Sequence, residues 1–346
     1  MTTRRAVAAA LALFALSGVA ACNKAAEPAS KSDTINFSVL PAENASSSQI
    51  FWTPILADMQ KQTGLKIKPF YATNYTALIE AMRFKQTDVG WFSNFPGLEA
   101  VRRANGEVFA RTFDPSGDDG YKSVLIVPAS SKLTRIEDVL KCDKTLNFGI
   151  GDTKSTSGTL APMTYLFAPR SIKPQDCFKT VKSANHQTNL FSVANGVLDV
   201  ATNNTTSIRL QQEREAVDPK AARIFNKVRI IWTSPRLPED PIIWRKDLDP
   251  AVKEKLRQFF LTYGQGEGPE AERQRALLSK ISIGGFKPAN DTHLLPVREM
   301  EATELLEEAK TSKDPAKIAT AQKALDGIKA EEATLQAKTG QPATAQ

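Results

Sequence analysis

The sequence has few of the residues that build metal sites. Only 3 cysteines and 2 histidines occur among its 346 residues, and neither a CxxC nor an HxxxH spacing is present. A four-ligand structural zinc site would need carboxylate ligands as well, so we predict neither a metal nor a cofactor.

Neither positive nor negative charge is in large excess. Lys and Arg number 45 against 38 for Asp and Glu, a net charge of +7, and no run of five like charges occurs. A nucleic-acid-binding domain concentrates positive charge, so we predict no nucleic-acid partner. With 41% hydrophobic and 24% charged residues the composition is that of a globular protein, whose length allows two domains of about 150 residues.

Only one run, Ala6–Cys22, is hydrophobic enough for a membrane, and it follows a basic pair. Its 17 residues and N-terminal position predict a secretory signal rather than a permanent span. The run ends in VAAC at Val19–Cys22, which resembles the bacterial lipobox, where a signal peptidase cuts before a cysteine that carries lipid. We therefore expect residues 1–21 to be a lipoprotein signal peptide and Cys22 to be lipidated. The alternative is an ordinary signal cleaved near Ala21.

A lipid on Cys22 would anchor the mature chain to a membrane face, with the polar residues 22–33 as a flexible tether. The expected location is periplasmic and membrane-anchored, in an oxidising compartment.

Cys142 and Cys177, 35 residues apart, are then expected to form a disulfide. Two buried reduced thiols are the alternative.

From Ile35 onward, short β-rich runs alternate with helical segments, which predicts a parallel α/β architecture. The predicted strands are residues 35–40, 65–71, 88–92, 123–127, 146–150, 198–202, 228–232 and 242–244. The clearest predicted helices are residues 48–63, which stop at Gly64, 75–84 and 250–263. After Leu295 an Ala-, Glu- and Lys-rich stretch predicts surface helices interrupted at Gly327, followed by a frayed end over the last ten residues.

A weak internal repeat relates two parts of the chain. Asn74-Tyr75 is followed by a helical stretch and then by Asp88-Val89, and the same order recurs 111 positions later at Asn185-His186 and Asp199-Val200. Alternating α/β segments also produce such matches by chance. A real repeat would mean two similar lobes that face each other across a ligand-binding cleft, with Tyr75 and His186 in equivalent positions.

The strongest local feature is the segment Gly149–Gly158, which follows a predicted strand and leads into an apolar helical run at residues 160–167. It carries three consecutive hydroxyls, on Ser155, Thr156 and Ser157. A helix that begins here would offer free backbone N–H groups, the positive end of its dipole and these hydroxyls to a tetrahedral anion. An ordinary helix N-cap is the alternative. A Walker-type phosphate loop is absent, so nucleotide phosphate is not indicated.

Four more residues are candidates for the same cleft. Tyr75 and His186 would point into it from opposite lobes, and a phenol O–H and an imidazole N–H can both donate to an anionic oxygen. Tyr121 follows a turn-rich segment and Asp240 lies within another, and the chain is expected to cross between the lobes at both. The structural alternatives are a buried histidine with no ligand and a turn-forming aspartate before proline.

Together these segments resemble the phosphonate-binding periplasmic component of ABC importers, from about residue 35 to residue 298. The resemblance is carried by Phe70–Tyr75, Glu80–Phe84, Asp88–Asn94, Gly120–Tyr121, Gly151–Gly158, Asn185–His186, Asp199–Thr205 and Asp240–Pro241. It implies an α/β type II periplasmic-binding-protein fold, in which two α/β lobes are joined by two hinge crossings and the ligand lies in the interlobe cleft. The implied division is residues 34–122 plus 238–300 for lobe 1, 123–237 for lobe 2, and 301–346 for C-terminal helices and a frayed tail.

The resemblance also implies a ligand-binding set. The phosphonate group would rest on Ser155, Thr156 and Ser157, with Tyr75 and His186 completing its shell. The ligand's other end, where an aminoalkyl group carries positive charge, would lie near Tyr121 and Asp240. One departure is Thr206, which stands where a relative has a carboxylate. With that charge missing, we expect a smaller or uncharged substituent, and phosphite, methylphosphonate and phosphate are all candidates.

The function implied is a non-catalytic, monomeric binding lipoprotein that captures a phosphonate-like anion and delivers it to the transmembrane subunits of an ABC permease. A sensor of the same anion that signals to a membrane receptor would have the same fold and site. A secreted phosphoester-processing enzyme with Ser155 or His186 as nucleophile would need a metal pair or a base–nucleophile constellation, which the sequence lacks.

Overall fold

The computed structural model describes residues 33–218 and 223–339. The predicted signal peptide, the lipidation site Cys22, almost all of the tether and the last seven residues lie outside these ranges. Within them, no helix is both long and apolar enough to cross a membrane.

The described chain alternates strands and helices. The strands are β1 Thr34–Val39, β2 Lys66–Tyr71, β3 Val89–Trp91, β4 Gly106–Phe113, β5 Tyr121–Pro128, β6 Asn147–Ile150, β7 Thr180–Ser183, β8 Val200–Asn204, β9 Val228–Leu237, β10 Pro241–Arg245 and β11 Gly285–Pro288. The α-helices are α1 Ala45–Thr63, α2 Tyr75–Arg83, α3 Asn94–Arg103, α4 Ile136–Val139, α5 Pro174–Cys177, α6 His186–Ala194, α7 Thr205–Val217, α8 Pro250–Thr262, α9 Pro269–Ser279, α10 Leu295–Ser312 and α11 Pro315–Thr339. Residues 156–170, called here the Thr156 helix, combine π-helical turns at Thr156–Leu160 and Met163–Phe167 with a final 3₁₀ turn.

The strands form two sheets, which confirms the prediction of two α/β lobes. One sheet has the order β11-β4-β10-β3-β1-β2 and the other β7-β6-β8-β5-β9. We call the first sheet with its helices lobe 1 and the second lobe 2. The chain passes between them twice, after β4 and after β9.

The prediction of a parallel architecture was wrong for three of the five strand pairings in the lobe 1 sheet, including β11 with β4, and for two of the four in the lobe 2 sheet. β10 runs antiparallel to β3 and β4, and β5 runs antiparallel to β8 and β9. β5 and β10 are the first strands after each crossing, so they enter their sheets from the other lobe, and the βαβ rule for parallel neighbours does not apply to them. Strands β4, β7 and β11 were not predicted from the sequence.

The internal repeat is present in the structure. Strands β2-β1-β3-β10-β4 of lobe 1 correspond in order to β7-β6-β8-β5-β9 of lobe 2. In lobe 1, Asp88 Oδ2 accepts from the backbone N and Nδ2 of Asn36 at 2.8 and 3.0 Å. In lobe 2, Asp199 Oδ2 accepts from the same two atoms of Asn147 at 2.7 and 3.0 Å. Both residues of the second pair lie 111 positions after those of the first, so the matching sequences make matching contacts.

Each lobe has its own apolar core. In lobe 1, Phe109 stacks on Trp244 with ring centroids 3.8 Å apart, beneath α1 and α8. In lobe 2, Phe148 stacks on Phe178 at 4.4 Å. Beside that stack the structure joins Cys142 and Cys177 in a disulfide, and Cys177 is buried in the same core. A further apolar cluster spans both lobes, since Leu160 and Ala161 of the Thr156 helix belong to it together with Leu98 and Met300.

Helix ends follow the sequence signals in some places and not in others. Gly64 ends α1 in the left-handed conformation, with φ +67°, as its position predicted. Gly327 does not interrupt α11, which continues to Thr339 and so includes residues predicted to fray. α10 is not a pure surface helix either, because Val297 and Met300 are buried against lobe 1.

Candidate ligand-binding cleft

A cavity of about 80 Å³ lies between the two lobes. Residues of both lobes and of the second crossing line it, including seven of the eight residues predicted to bind a ligand. These are Tyr75, Tyr121, Ser155, Ser157, His186, Thr206 and Asp240. Within the described part of the chain, the lining contains no Lys or Arg side chain.

Several helices begin at this cavity. Tyr75 and His186 are the first residues of α2 and α6, and each follows an asparagine cap. Asn74 and Asn185 accept from the backbone N–H three residues on, both at 2.8 Å. Thr206 lies in the first turn of α7. Because a helix N-terminus carries partial positive charge, these converging ends favour an anion without any basic side chain.

The start of the Thr156 helix supplies the densest set of donors. Ser155 is its N-cap and accepts from the backbone N of Gly158 at 3.0 Å, and Ser157 Oγ accepts from Asn204 Nδ2 at 3.1 Å. As the first two residues of the helix, Thr156 and Ser157 have backbone N–H groups with no partner inside the helix. The structure thus places these hydroxyls at the start of a helix, as the sequence predicted.

Gly151 brings the preceding loop against this helix start. Its backbone N donates to the carbonyl of Gly158 at 2.9 Å. A Cβ added to Gly151 would lie only 2.4 Å from the Cα of Gly158. The two chain segments can therefore approach this closely only because both residues lack a side chain.

His186 is buried, with 3% of its surface exposed. Its Nε2 lies 3.4 Å from the hydroxyl oxygens of both Ser155 and Ser157. Burial lowers the pKa of His186 to about 4, so the ring is neutral near pH 7. Its Nδ1 has no hydrogen-bond partner within the described residues. A neutral imidazole between two hydroxyls can donate one N–H to an anion but brings no charge.

The two tyrosines are protonated donors. Burial raises the pKa of Tyr75 far above its usual value, against a smaller opposing effect of a hydrogen bond with Ser155. Burial also raises the pKa of Tyr121, and the neighbouring carboxylates of Asp240 and Glu239 raise it further. Tyr121 affects and is affected by the groups around it, since Ser157 lowers its pKa and Tyr121 lowers that of Asp240.

Thr156 is the one predicted ligand residue whose side chain does not line the cavity. Its Oγ1 accepts from the backbone N of Phe95 in lobe 1 at 2.8 Å and donates to Ser93 Oγ at 3.2 Å. The side chain is fully buried between the lobes. Its hydroxyl therefore holds the start of α3 against the Thr156 helix instead of pointing at a ligand.

Other contacts also join the lobes. Asp152 Oδ2 accepts from the backbone N of Tyr75 at 3.2 Å, which places a carboxylate at the positive end of α2. Gln187 Oε1 accepts from the backbone N of Asn44 at 3.0 Å. The Arg214 guanidinium forms a two-pronged ion pair with Glu43, and the lobes are thus held together across the cleft.

The second crossing brings two neighbouring carboxylates into the cavity. Asp240 was predicted, but Glu239 was not, and both line the cavity. Burial raises the pKa of Glu239 to about 7, and the nearby Asp114 carboxylate raises it too, against the lowering effects of a Thr112 hydrogen bond and of two arginines. Burial raises the pKa of Asp240 well above its usual range, and the Glu239 carboxylate adds to this effect.

Trp91, Ser93 and Asn204 are among the other lining residues that were not predicted from the sequence. The repeat contained the signal for two of them, because Ser93 and Asn204 lie 111 positions apart and are the N-caps of α3 and α7. Trp91 Nε1 makes no hydrogen bond within the described residues, but it lies near enough to Asp240 to lower the pKa of that carboxyl. Sequence alone could not show that its ring faces the cleft.

The arrangement is suited to binding rather than to covalent catalysis. A serine nucleophile needs a base that a third group orients, but His186 Nδ1 has no partner among the described residues. The hydroxyl of Ser155 is already used as a helix cap. What remains is a set of fixed neutral donors facing one small volume, which is the chemistry of anion recognition.

The chain is similar to several known proteins. A protein family described as the periplasmic substrate-binding protein of phosphonate ABC transporters matches residues 37–294. The chain is 38% identical over 279 residues to the phosphonates-binding periplasmic protein of Escherichia coli K12, covering 81% of this chain and 79% of that one.

Two solved structures are similar to this one. A binding-protein component of an ABC phosphonate transporter from Pseudomonas aeruginosa has a TM-score of 0.80 at 34% identity, covering 88% of this chain and 99% of that one. PhnD1 from Prochlorococcus marinus, solved in complex with methylphosphonate, shares the fold with a TM-score of 0.65 at 19% identity, covering 78% and 97% of the two chains. On the family match and the identity to the E. coli protein, the chain belongs to the family of periplasmic phosphonate-binding proteins of ABC transporters.

Proposed function

We propose that this protein captures a small phosphonate-like anion in the interlobe cleft and delivers it to the transmembrane subunits of an ABC permease. The observation that carries the proposal is the start of the Thr156 helix, where Ser155, Ser157 and His186 surround backbone N–H groups that the helix does not use. Donors of this kind are each worth about 1.5–3 kcal/mol to a charged oxygen. The relatives named above support phosphonate as the anion.

The roles of the individual residues are part of the proposal. Ser155, Ser157, Tyr75 and His186 would donate to the phosphonate oxygens, together with the backbone N–H groups of the Thr156 helix. Tyr121, Thr206 and Asp240 would face the ligand's other end. The proposal also includes the predicted lobe boundaries. They are supported by the two points at which the chain moves from one sheet to the other, at β5 and between β9 and β10.

The test is calorimetric titration of the mature chain with methylphosphonate, phosphite, phosphate and sulfate. We expect at least one phosphorus oxyanion to bind with a Kd in the micromolar range or below, and Ser157→Ala to weaken it by about 10- to 100-fold. Ser46→Ala, which removes an exposed hydroxyl outside the cavity, is the control and should leave the Kd unchanged. Unchanged affinity in Ser157→Ala would disprove the site.

Delivery to a permease is tested in cells. If the protein is an importer component, deletion of its gene abolishes uptake of the bound phosphonate, and the Ser157→Ala variant fails to restore it. Uptake that persists while a transcriptional response to the phosphonate is lost would instead indicate the sensor.

The lipid anchor is proposed on the VAAC sequence that ends at Cys22. Cys22→Ser, or treatment with a lipoprotein signal peptidase inhibitor, should abolish labelling of the protein by a radioactive fatty acid. Labelling that persists in Cys22→Ser would disprove the anchor. We also propose that the protein is monomeric, which the mass in solution measures.

A further inference from the structure

The N-cap residues of α3 and α7 occupy equivalent places in the two lobes and contact neighbouring hydroxyls. These residues are Ser93 and Asn204, 111 positions apart in the repeat. Ser93 Oγ accepts from Thr156 Oγ1 at 3.2 Å, whereas Asn204 Nδ2 donates to Ser157 Oγ at 3.1 Å. The two caps therefore make hydrogen bonds of opposite direction to adjacent residues of the Thr156 helix.

The direction of the Asn204 bond is fixed by the other contact of the same side chain. Asn204 Oδ1 accepts from the backbone N of Ser207 at 2.7 Å. A backbone N–H can only donate, so the amide oxygen must face α7 and the NH₂ group must face Ser157. Asn204 and Ser157 are both buried, and an amide that satisfies both contacts has a single orientation.

This bond leaves the proton of the Ser157 hydroxyl free for another acceptor. A serine hydroxyl has one proton and two lone pairs, and Asn204 Nδ2 occupies a lone pair. The neutral Nε2 of His186, at 3.4 Å, lies beyond the usual distance for a strong hydrogen bond from a hydroxyl. An anionic oxygen is a stronger acceptor than a neutral group, so the Ser157 proton is available to an anion in the cavity.

The neighbouring hydroxyl of Thr156 has no such free proton. Its Oγ1 accepts from the backbone N of Phe95 at 2.8 Å and donates to Ser93 Oγ, so both of its functions are used between the lobes. The hydroxyl at position 93 accepts, and the amide at position 204 donates. This chemical difference between equivalent caps matches the different roles of Thr156 and Ser157.

We propose that Asn204 is a positioning residue for the anion, because its donation to Ser157 Oγ directs the Ser157 proton toward an oxygen of the ligand. The inference rests on the proposed function, since it acts through a hydroxyl that is itself proposed to bind the phosphonate group. Asn204 should therefore affect affinity only while the Ser157 hydroxyl is present.

A double-mutant cycle measured by calorimetry tests this dependence. The probe is methylphosphonate, phosphite or phosphate, whichever the wild type binds most tightly. Serine is also a good helix cap, so Asn204→Ser keeps the start of α7 and removes the Nδ2 donor. It should weaken binding by about 3- to 10-fold in the wild-type background, and by less than about twofold in Ser157→Ala.

Asn204→Asp reverses the polarity of the same contact. Aspartate keeps an acceptor for the Ser207 N–H, accepts the Ser157 proton with its other oxygen and adds a negative charge. The charge should weaken anion binding in both backgrounds, whereas capture of the proton matters only where Ser157 is present. The loss of affinity should therefore be at least about threefold larger in the wild-type background than in Ser157→Ala.

Asn185→Ser is the matched control, because it makes the same exchange at the cap of α6. Asn185 Oδ1 accepts from the backbone N of Thr188 at 2.8 Å, and within the described residues Asn185 makes no hydrogen bond to Ser157. Its effect on the Kd should be the same factor with and without the Ser157 hydroxyl.

Two results would overturn the inference while the phosphonate function stands. One is wild-type affinity in Asn204→Ser, and the other is an equal loss in both backgrounds for Asn204→Ser or for Asn204→Asp. An equal loss would mean that Asn204 contacts the ligand directly or only supports the fold. If the folded wild type binds none of the three oxyanions, the proposed function itself fails.

Discussion

The substitution Thr156→Val tests whether the Thr156 hydroxyl stabilises the closed arrangement of the lobes without contacting the ligand. Valine keeps the volume of threonine but removes the Oγ1 atom that accepts from the backbone N of Phe95 at 2.8 Å. When the lobes separate, that N–H is free to bond with water. In the closed variant it is buried with no acceptor, so the substitution destabilises the closed form alone.

The expected effect follows from that asymmetry. An unsatisfied buried N–H costs about 1–3 kcal/mol, which converts to a Kd about 5- to 150-fold weaker. Because the Thr156 side chain does not line the cavity, all ligands should lose affinity by the same factor. Ser157→Ala should instead weaken the ligands by different factors, since that hydroxyl faces the cavity.

The assay is calorimetry of Thr156→Val with at least two phosphorus oxyanions that the wild type binds, supported by small-angle scattering with and without ligand. We expect the variant to need more ligand to reach its compact form. A Kd equal to that of the wild type would refute the closing role. A change in the ratio of the two affinities would place the hydroxyl in the ligand's shell, as the family resemblance implied.

Three further outcomes are expected. The pKa of Glu239 is about 7 in the folded protein and near 4.5 in an unfolded chain, so between these pH values the folded protein binds one proton more than the unfolded chain. The free energy of unfolding therefore falls by up to about 3 kcal/mol as the pH rises from 4.5 to 7. In urea unfolding over this pH range, Glu239→Gln should gain stability relative to the unliganded wild type. Gly151→Ala should lower the free energy of unfolding by about 1–3 kcal/mol and weaken anion binding, because the new Cβ meets the Gly158 backbone at 2.4 Å; a variant with wild-type affinity and stability would contradict this. Replacing Cys142 and Cys177 by alanine should cost about 2–4 kcal/mol of stability, since the bond closes a loop over 35 positions, while calorimetry shows an unchanged Kd because neither residue lines the cavity.

Much of the site could be predicted from sequence because its signals are local. The hydroxyls of Ser155 and Ser157 follow a strand and begin a helix, and their position at the helix start depends only on nearby residues. The equivalence of Tyr75 and His186 was also predictable, since matching asparagine caps place both at the first position of a helix. Local backbone chemistry decides such positions.

The errors concern contacts between distant parts of the chain. Nothing near Thr156 in sequence shows that its side chain turns toward Phe95, 61 residues earlier, while its neighbours face the cleft. Glu239 was not predicted to bind a ligand, because only Asp240 lies at a position that matches a ligand-binding residue of the family. Both residues line the cavity. Strands β5 and β10 were predicted, but their antiparallel direction was not, for a related reason: it follows from where the chain crosses between the lobes.

The amino-acid sequence by itself determined the two similar halves, the helix N-termini that favour an anion and the hydroxyls at the Thr156 helix, because each depends on short-range capping and on a repeat of 111 positions. Only the tertiary structure decided which of these groups share a cavity and which hold the lobes together. It also placed the Asp240 carboxyl near Trp91. Such contacts arise when the two lobes meet, and no local pattern encodes the direction of a side chain across a cleft.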